Sequence, residues 1–310
     1  MSAVFAALIP IFLLIVMGLM LRRWLIAQDA HWVGLEQLLY YVMFPALLIG
    51  TMARADLTTV PVLAVGGTMF GAVVLIAALC FALKPALTRW LGADGPAFTS
   101  LFQGATRWQT FVALPLAGNL YGDLGLALAS VAMVAMTPIL NVLCVSVLVR
   151  YASNNTTDWR SVLLAIVRNP LIWACAVGAL LNPVATAIPE PVNTVIEALG
   201  RSSLAIGLLV TGAGLHLEGM FRPSLAASVA VFLKLVLMPV IAVALALWFG
   251  VAGSDLAIVT ACAAVPASSS AYVLARQMGG DAPLLAQIIT LQTILAAITM
   301  PIAIALAAMC

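Results

Sequence analysis

Long apolar runs separated by short polar breaks fill the chain, and they set its architecture before any single residue does. A membrane-spanning helix needs about 20 mostly apolar residues. Stretches that meet this need cover residues 3–21, 33–53, 60–83, 97–118, 124–149, 162–182, 198–215, 224–249, 255–276 and 283–308. We number these spans one to ten. The segment PVNTVIEALGRSS, which starts at Pro191, reads as a short amphipathic lead-in to span seven. The first run has no basic residues ahead of it and is too long for the apolar part of a signal peptide, so a retained helix is expected.

Composition agrees with the pattern. The 310 residues are 65% hydrophobic and 8% charged, against about 25% charged in a soluble domain, so the chain is an all-α polytopic membrane protein. The polar breaks leave no room for a soluble domain. A net charge of +2 gives no reason to expect nucleic acid as a partner. Cys80, Cys144, Cys175, Cys262 and Cys310 lie in apolar stretches or at the C-terminus without metal or redox spacing, so no metal site and no cofactor are expected.

The positions of the cations carry more than their sum. Arg22, Arg23, Lys84, Arg89, Arg150, Arg160, Arg168, Arg222 and Arg276 follow odd-numbered spans, whereas Arg54 and Arg201 follow even-numbered ones. The basic side of a membrane protein faces the cytoplasm. Both termini are then periplasmic, and the longest polar loop, around Tyr151–Arg160, is cytoplasmic.

Five spans followed by five more give halves of opposite orientation, the arithmetic of an inverted repeat. Residues 1–150 would form the first half, 151–161 a connecting loop and 162–310 the second half. Span four ends in GNLYGD and span nine in RQMGGD, and each following span holds a proline, in AMTPIL and ITMPIA. Pro115 and Pro266 fall at matching positions within spans four and nine, so both spans are expected to be Pro-broken. Such breaks either expose helix ends at a binding site or are harmless kinks.

Two cations sit deep in apolar spans without a carboxylate nearby in sequence. A charge at the centre of a membrane helix costs about 2.5–3.5 kcal/mol even on the lenient insertion scale. Counted from Pro96, Arg107 lies roughly 16 Å into span four, too deep to reach either interface easily. Its guanidinium fork suits a carboxylate. It either meets a substrate or gate, or pairs with helix-end carbonyls. Gln103, Thr106, Gln109 and Thr110 surround it in sequence. Lys234 is similarly deep in span eight, where it binds an anion, carries a proton, stands in for a cation, or simply bonds backbone carbonyls. After Pro266 come Ser268, Ser269, Ser270 and Tyr272, small donors for an anion or small residues for close packing. Asn169 either caps span six or lines the crossing.

Glu36, Asp123, Asp255 and Asp281 fall near span ends. That placement argues against a carboxylate relay for protons and against a carboxylate sodium site. His31 and His216 read as solvated loop residues. Helix-borne nucleophile–base pairs and nucleotide-binding loops are missing from the sequence, so an enzyme is not expected.

The stretches YYVMFPALLIGTM, TRWQTFVALPLAGNLYGD, RNPLIWACAVGALLN, FLKLVLMP and VPASSSAYVLARQMGGD occur in an order and spacing that resemble the bacterial auxin efflux carrier family, relatives of plant PIN proteins and of malonate and malate permeases. The resemblance covers nearly the whole chain. It implies a bacterial inner-membrane secondary transporter with two inverted five-helix repeats crossing at spans four and nine. It further implies elevator-like movement of spans three to five and eight to ten against a dimer-forming scaffold of spans one, two, six and seven. Gln109 stands where family members often carry Asn. The long cytosolic loop of plant carriers is absent, which favours small dicarboxylates over auxin. A proton or sodium ion as coupling partner stays open. The competing expectations are a sodium-coupled bile-acid-type symporter and a non-transporting sensor or enzyme.

Overall fold

A computed structural model describes residues 2–55, 61–152, 167, 169–217 and 223–309, and every regular element among them is helical. Most of the expected 151–161 loop, the first part of span six, and Arg160, Arg168, Arg222 and Cys310 lie outside the described residues.

Helix α1 covers Ser2–Trp24. Helix α2 (Asp29–Leu38) passes through one π-helical turn (Leu39–Met43) into α3 (Phe44–Arg54), making a single span. Then come α4 (Val62–Leu91), α5 (Gly95–Thr106), α6 (Thr110–Tyr151), α7 (Pro170–Leu181) and α8 (Glu190–Ala213). Helix α9 (Leu225–Phe232) runs through a second π turn (Leu233–Leu237) into α10 (Met238–Trp248). The chain closes with α11 (Gly253–Ala264), α12 (Ser270–Met278) and α13 (Ala282–Ala307). Among the described residues, 7 helical stretches are long and apolar enough to cross a membrane.

Local chemistry explains the boundaries. Asp94 opens α5 by accepting the Ala97 N–H at 2.9 Å, with Pro96 in the first turn. Asp281 opens α13 in the same way through Leu284 N–H at 3.0 Å. Gly122 (φ +56°) bends α6 into two arms and Gly279 (φ +78°) ends α12, both in the left-handed region that a glycine tolerates without strain. The two Gly-Asp motifs are therefore turns. The amphipathic lead-in to span seven is continuous with it, because nothing between Glu190 and Ala213 breaks the helix.

Spans four and nine each divide into two helices, but not at matching prolines. Span nine breaks around Pro266, whereas span four breaks at Arg107–Gln109, and Pro115 is buried inside α6. Pro115 follows the first turn of α6, where its missing N–H frees only the Phe111 carbonyl and leaves the helix intact.

The helices pack as two groups. Helices α1, α2–α3, α7 and α8 pack most heavily on one another, while α4, α5, α6 and α9–α13 form a second group. Helices α1 and α8 approach backbone to backbone: a Cβ on Gly18 would stand 2.0 Å from the Leu209 carbonyl oxygen, and one on Gly212 only 1.8 Å from that of Ile15. Arg22 Nη1 donates to the Ala213 carbonyl at 2.6 Å, tying the end of α8 to α1. Just beyond, His216 is fastened to α13: its N–H donates to Thr290 Oγ1, which donates to the His216 carbonyl, both at 3.1 Å. Across the groups, the rings of Phe44 and Phe111 stack at 5.0 Å and 4°.

Candidate functional site

The site is built from two interrupted helices. After α5 the backbone of Arg107 extends (φ −67°, ψ 156°), and α6 restarts at Thr110. After α11, Val265 extends likewise (φ −66°, ψ 151°), and α12 restarts at Ser270. Pro266 accounts for the second break, since a proline drives its predecessor out of the helical region and supplies no N–H. The first break has no proline. Side chains hold it instead. Trp108 Nε1 donates to the Cys262 carbonyl at 2.7 Å, Gln109 Nε2 donates to Ser269 Oγ at 3.2 Å, and Arg107 Nη1 donates to Ser270 Oγ at 3.3 Å. Ser268 and Ser270 share a hydroxyl contact at 2.9 Å.

A buried glutamine on α13 fastens the crossing from behind. Gln292 Oε1 accepts the Ala267 N–H at 2.9 Å. Its Nε2 donates to the carbonyls of Gly104 at 2.9 Å and Ala230 at 3.3 Å. One side chain thus satisfies backbone groups from both breaks and from the turn before Lys234. Buried backbone groups left without partners are costly, so this is how the interrupted backbone survives away from water.

In front of the crossing lies a cavity of about 150 Å³. Arg107 through Phe111 and Ser268–Ser270 form one wall; Thr137, Leu140 and Asn141 of α6 extend it. Glu36, Tyr40, Asn169 and Leu171, all from the first helix group, face them. The first residues of α6 and α12 therefore bring two positive helix ends to the same space as the Arg107 guanidinium. Among the described residues the ion pairs are Arg22–Asp29 and Arg201–Glu197, so Arg107 has no carboxylate partner. Its Nε is buried without a hydrogen bond. A second cavity of about 210 Å³ shares Glu36, Phe111 and Ser269 with the first and continues toward Arg22, His216 and Arg276. At the other end of the molecule a cavity of about 380 Å³ lies between Arg54, Asn119, Asp123 and Arg201. The Phe44–Phe111 stack falls between the two ends, because Tyr40 lines the first cavity and Ala46 and Leu47 line the last.

Residues 3–304 match the family described as membrane transport protein. The chain belongs to this family, that of the auxin efflux carriers. No curated protein matches the sequence. The carrier is therefore a multi-pass membrane transporter and not an enzyme.

The expected substrate contacts of the carrier divide. Arg107, Gln109, Thr110, Asn169, Ser268, Ser269 and Ser270 line the cavity. Asn169 also caps α7, accepting the Leu171 N–H at 2.9 Å, so both readings of this residue apply. Gln103 and Thr106 are buried away from the cavity; Thr106 Oγ1 donates to the Phe102 carbonyl at 2.7 Å. Pro266 shapes the break without lining the cavity, and Pro115 is buried within α6 and does not line it either. Lys234 is fully buried in the second π turn, without a hydrogen-bond partner for Nζ among the described residues, and does not reach the cavity.

Reasoning from the sequence missed Glu36, Tyr40, Trp108, Thr137, Asn141 and Gln292. Glu36 was expected near a span end. Helix α2 begins at Asp29 rather than at residue 33, which carries Glu36 two turns into the helix and onto the cavity wall. Thr137 and Asn141 stand one helical turn apart in a mostly apolar span, a polar stripe that spacing alone could have flagged. His216, expected in solvent, is held between α13 and the Tyr272 ring.

Proposed function

We propose that the carrier moves a small organic anion, a dicarboxylate such as malonate or malate or an auxin-like carboxylate, by alternating access. One observation carries this reading. The Arg107 guanidinium opens into a cavity between two helix groups and has no carboxylate partner among the described residues. The positive ends of α6 and α12 add to its field, and a carboxylate would complete the arrangement through paired charge-assisted hydrogen bonds.

The two packing groups support an elevator-like movement of the second against the first, with the first group also presenting the face for a second copy of the chain. The cavities lead from Arg107 toward Arg22 and Arg276, the end we read as cytoplasmic, and the Phe44–Phe111 stack closes the way to the other end. Helices α5 and α11 are each 12 residues long and each is followed by an interruption, which supports two inverted repeats over 1–150 and 162–310. In this reading the carrier sits in a bacterial inner membrane with both termini periplasmic.

The test is uptake of labelled malonate and malate into proteoliposomes, beside thermal shift of the purified carrier with mono- and dicarboxylates. Saturable uptake that disappears in Arg107→Ala while the protein stays folded is expected. Uptake that survives Arg107→Ala unchanged overturns the assignment.

A further inference from the structure

Glu36 is the only carboxyl lining the cavity around Arg107 among the described residues. It sits on α2, in the first helix group, and is half-buried. Neither a hydrogen bond nor an ion pair engages its side chain among the described residues. It also borders the adjoining cavity, so it faces both the site and the route to it. The other charged or titratable groups around these two spaces are Arg107 and Tyr40 in the first, and Arg22, Asp29, His216, Tyr272 and Arg276 in the second. Arg22 is already engaged by Asp29 at 2.8 Å. Arg107 is thus the cation in Glu36's own cavity.

The cavity measures about 150 Å³. An anion held there by Arg107 brings a second negative charge within a few ångströms of Glu36. Two carboxylates confined to one small site with one cation do not both stay ionised; one of them takes up a proton. An empty site is balanced by Glu36 against Arg107, and a site loaded with one carboxylate is balanced again once Glu36 is protonated.

We propose that Glu36 is a built-in competitor for Arg107: a carboxyl fixed on the first helix group that occupies the anion's charge niche and yields it by accepting a proton from the Arg22–Arg276 end. Anion affinity on this side then weakens as pH rises, because binding takes up a proton. This rests on the anion reading above. It gives the site a pH-dependent affinity without a metal or a second ligand, and it removes one negative charge from the site for each anion that enters.

Calorimetry on the full-length carrier in detergent tests it, with malonate titrated in two buffers of different ionisation heat between about pH 6.5 and 8, where malonate is already a dianion and its own titration is past. Wild type should take up a proton with each malonate, its affinity weakening by up to about tenfold per pH unit. Glu36→Gln mimics the protonated carboxyl. It should show no buffer-dependent heat, and at the alkaline end it should bind malonate at least as tightly as wild type. Glu36→Asp should keep the proton uptake, and it carries the test if the amide variant melts early. An unchanged pH slope in Glu36→Gln overturns the proposal. So does loss of malonate binding in a Glu36→Gln protein that melts like wild type. If wild type binds none of malonate, malate or indole-acetate, the anion reading itself fails and this inference falls with it.

Discussion

Arg107 and Lys234 look alike in the sequence, each a lone cation deep in an apolar span, yet the fold treats them in opposite ways. Arg107 stands where the backbone is interrupted, half-buried, with a serine hydroxyl at 3.3 Å and a cavity before it. Lys234 stands in a continuous helical path widened by one π turn, fully buried, and lines neither of the two adjoining cavities around Arg107. Depth and charge alone therefore do not give a cation a cavity. An interruption of the helix beside the cation does, because it opens space and turns helix ends toward it.

The sharpest way to break this comparison is to remove each cation in turn. Arg107→Ala should abolish malonate uptake and weaken malonate binding by about 10–100-fold or more, the scale of a lost charge-assisted hydrogen-bond pair. Calorimetry and proteoliposome uptake read both effects. Gln292→Ala comes next. It strips partners from buried backbone groups of both breaks, at about 1–3 kcal/mol for each group left unsatisfied, and should lower the melting temperature markedly. A melting temperature equal to wild type would mean that the crossing does not depend on this side chain.

Smaller effects sharpen the contrast. Phe44→Leu removes a stacked ring worth about 0.5–1.5 kcal/mol between the helix groups. Cysteine-labelling rates at the Asn119 end should rise as the barrier loosens, and unchanged rates would remove the stack from the closed path. The smallest stability change is expected for Lys234→Met, which exchanges a buried amine without a hydrogen-bond partner among the described residues for an apolar chain of similar length. Melting should be unchanged or slightly higher, since an unsatisfied polar group is lost and shape is kept. A folded Lys234→Met protein that no longer takes up malonate would give Lys234 a working role and erase the distinction.

Much of the helix order was legible from apolar run length, and the bias of Lys and Arg suggested which end is which. Asp94, Asn169 and Asp281 mark helix starts through ordinary capping chemistry. The break at Pro266 was readable because proline restricts its predecessor. The break at Arg107 was not, because it has no proline and is held by Trp108 and Gln109 bonding residues more than 150 positions away. Glu36 was hidden by an error in one helix start, and Gln292 by lying in an apolar run where its three partners are all backbone atoms from other elements. Local pattern gives the rods; contacts between distant segments decide which polar atoms converge.

Arg22 grips the Ala213 carbonyl and Thr290 grips both backbone groups of His216, so neighbouring stretches of one strand of chain are pegged to different helix groups. Between the pegs lie only Gly214 and Leu215. Sliding of one group past the other would concentrate torsion in that two-residue joint, like the pin of a hinge. A bulky or rigid residue at Gly214 would then act as a brake on turnover while leaving the binding of cargo alone.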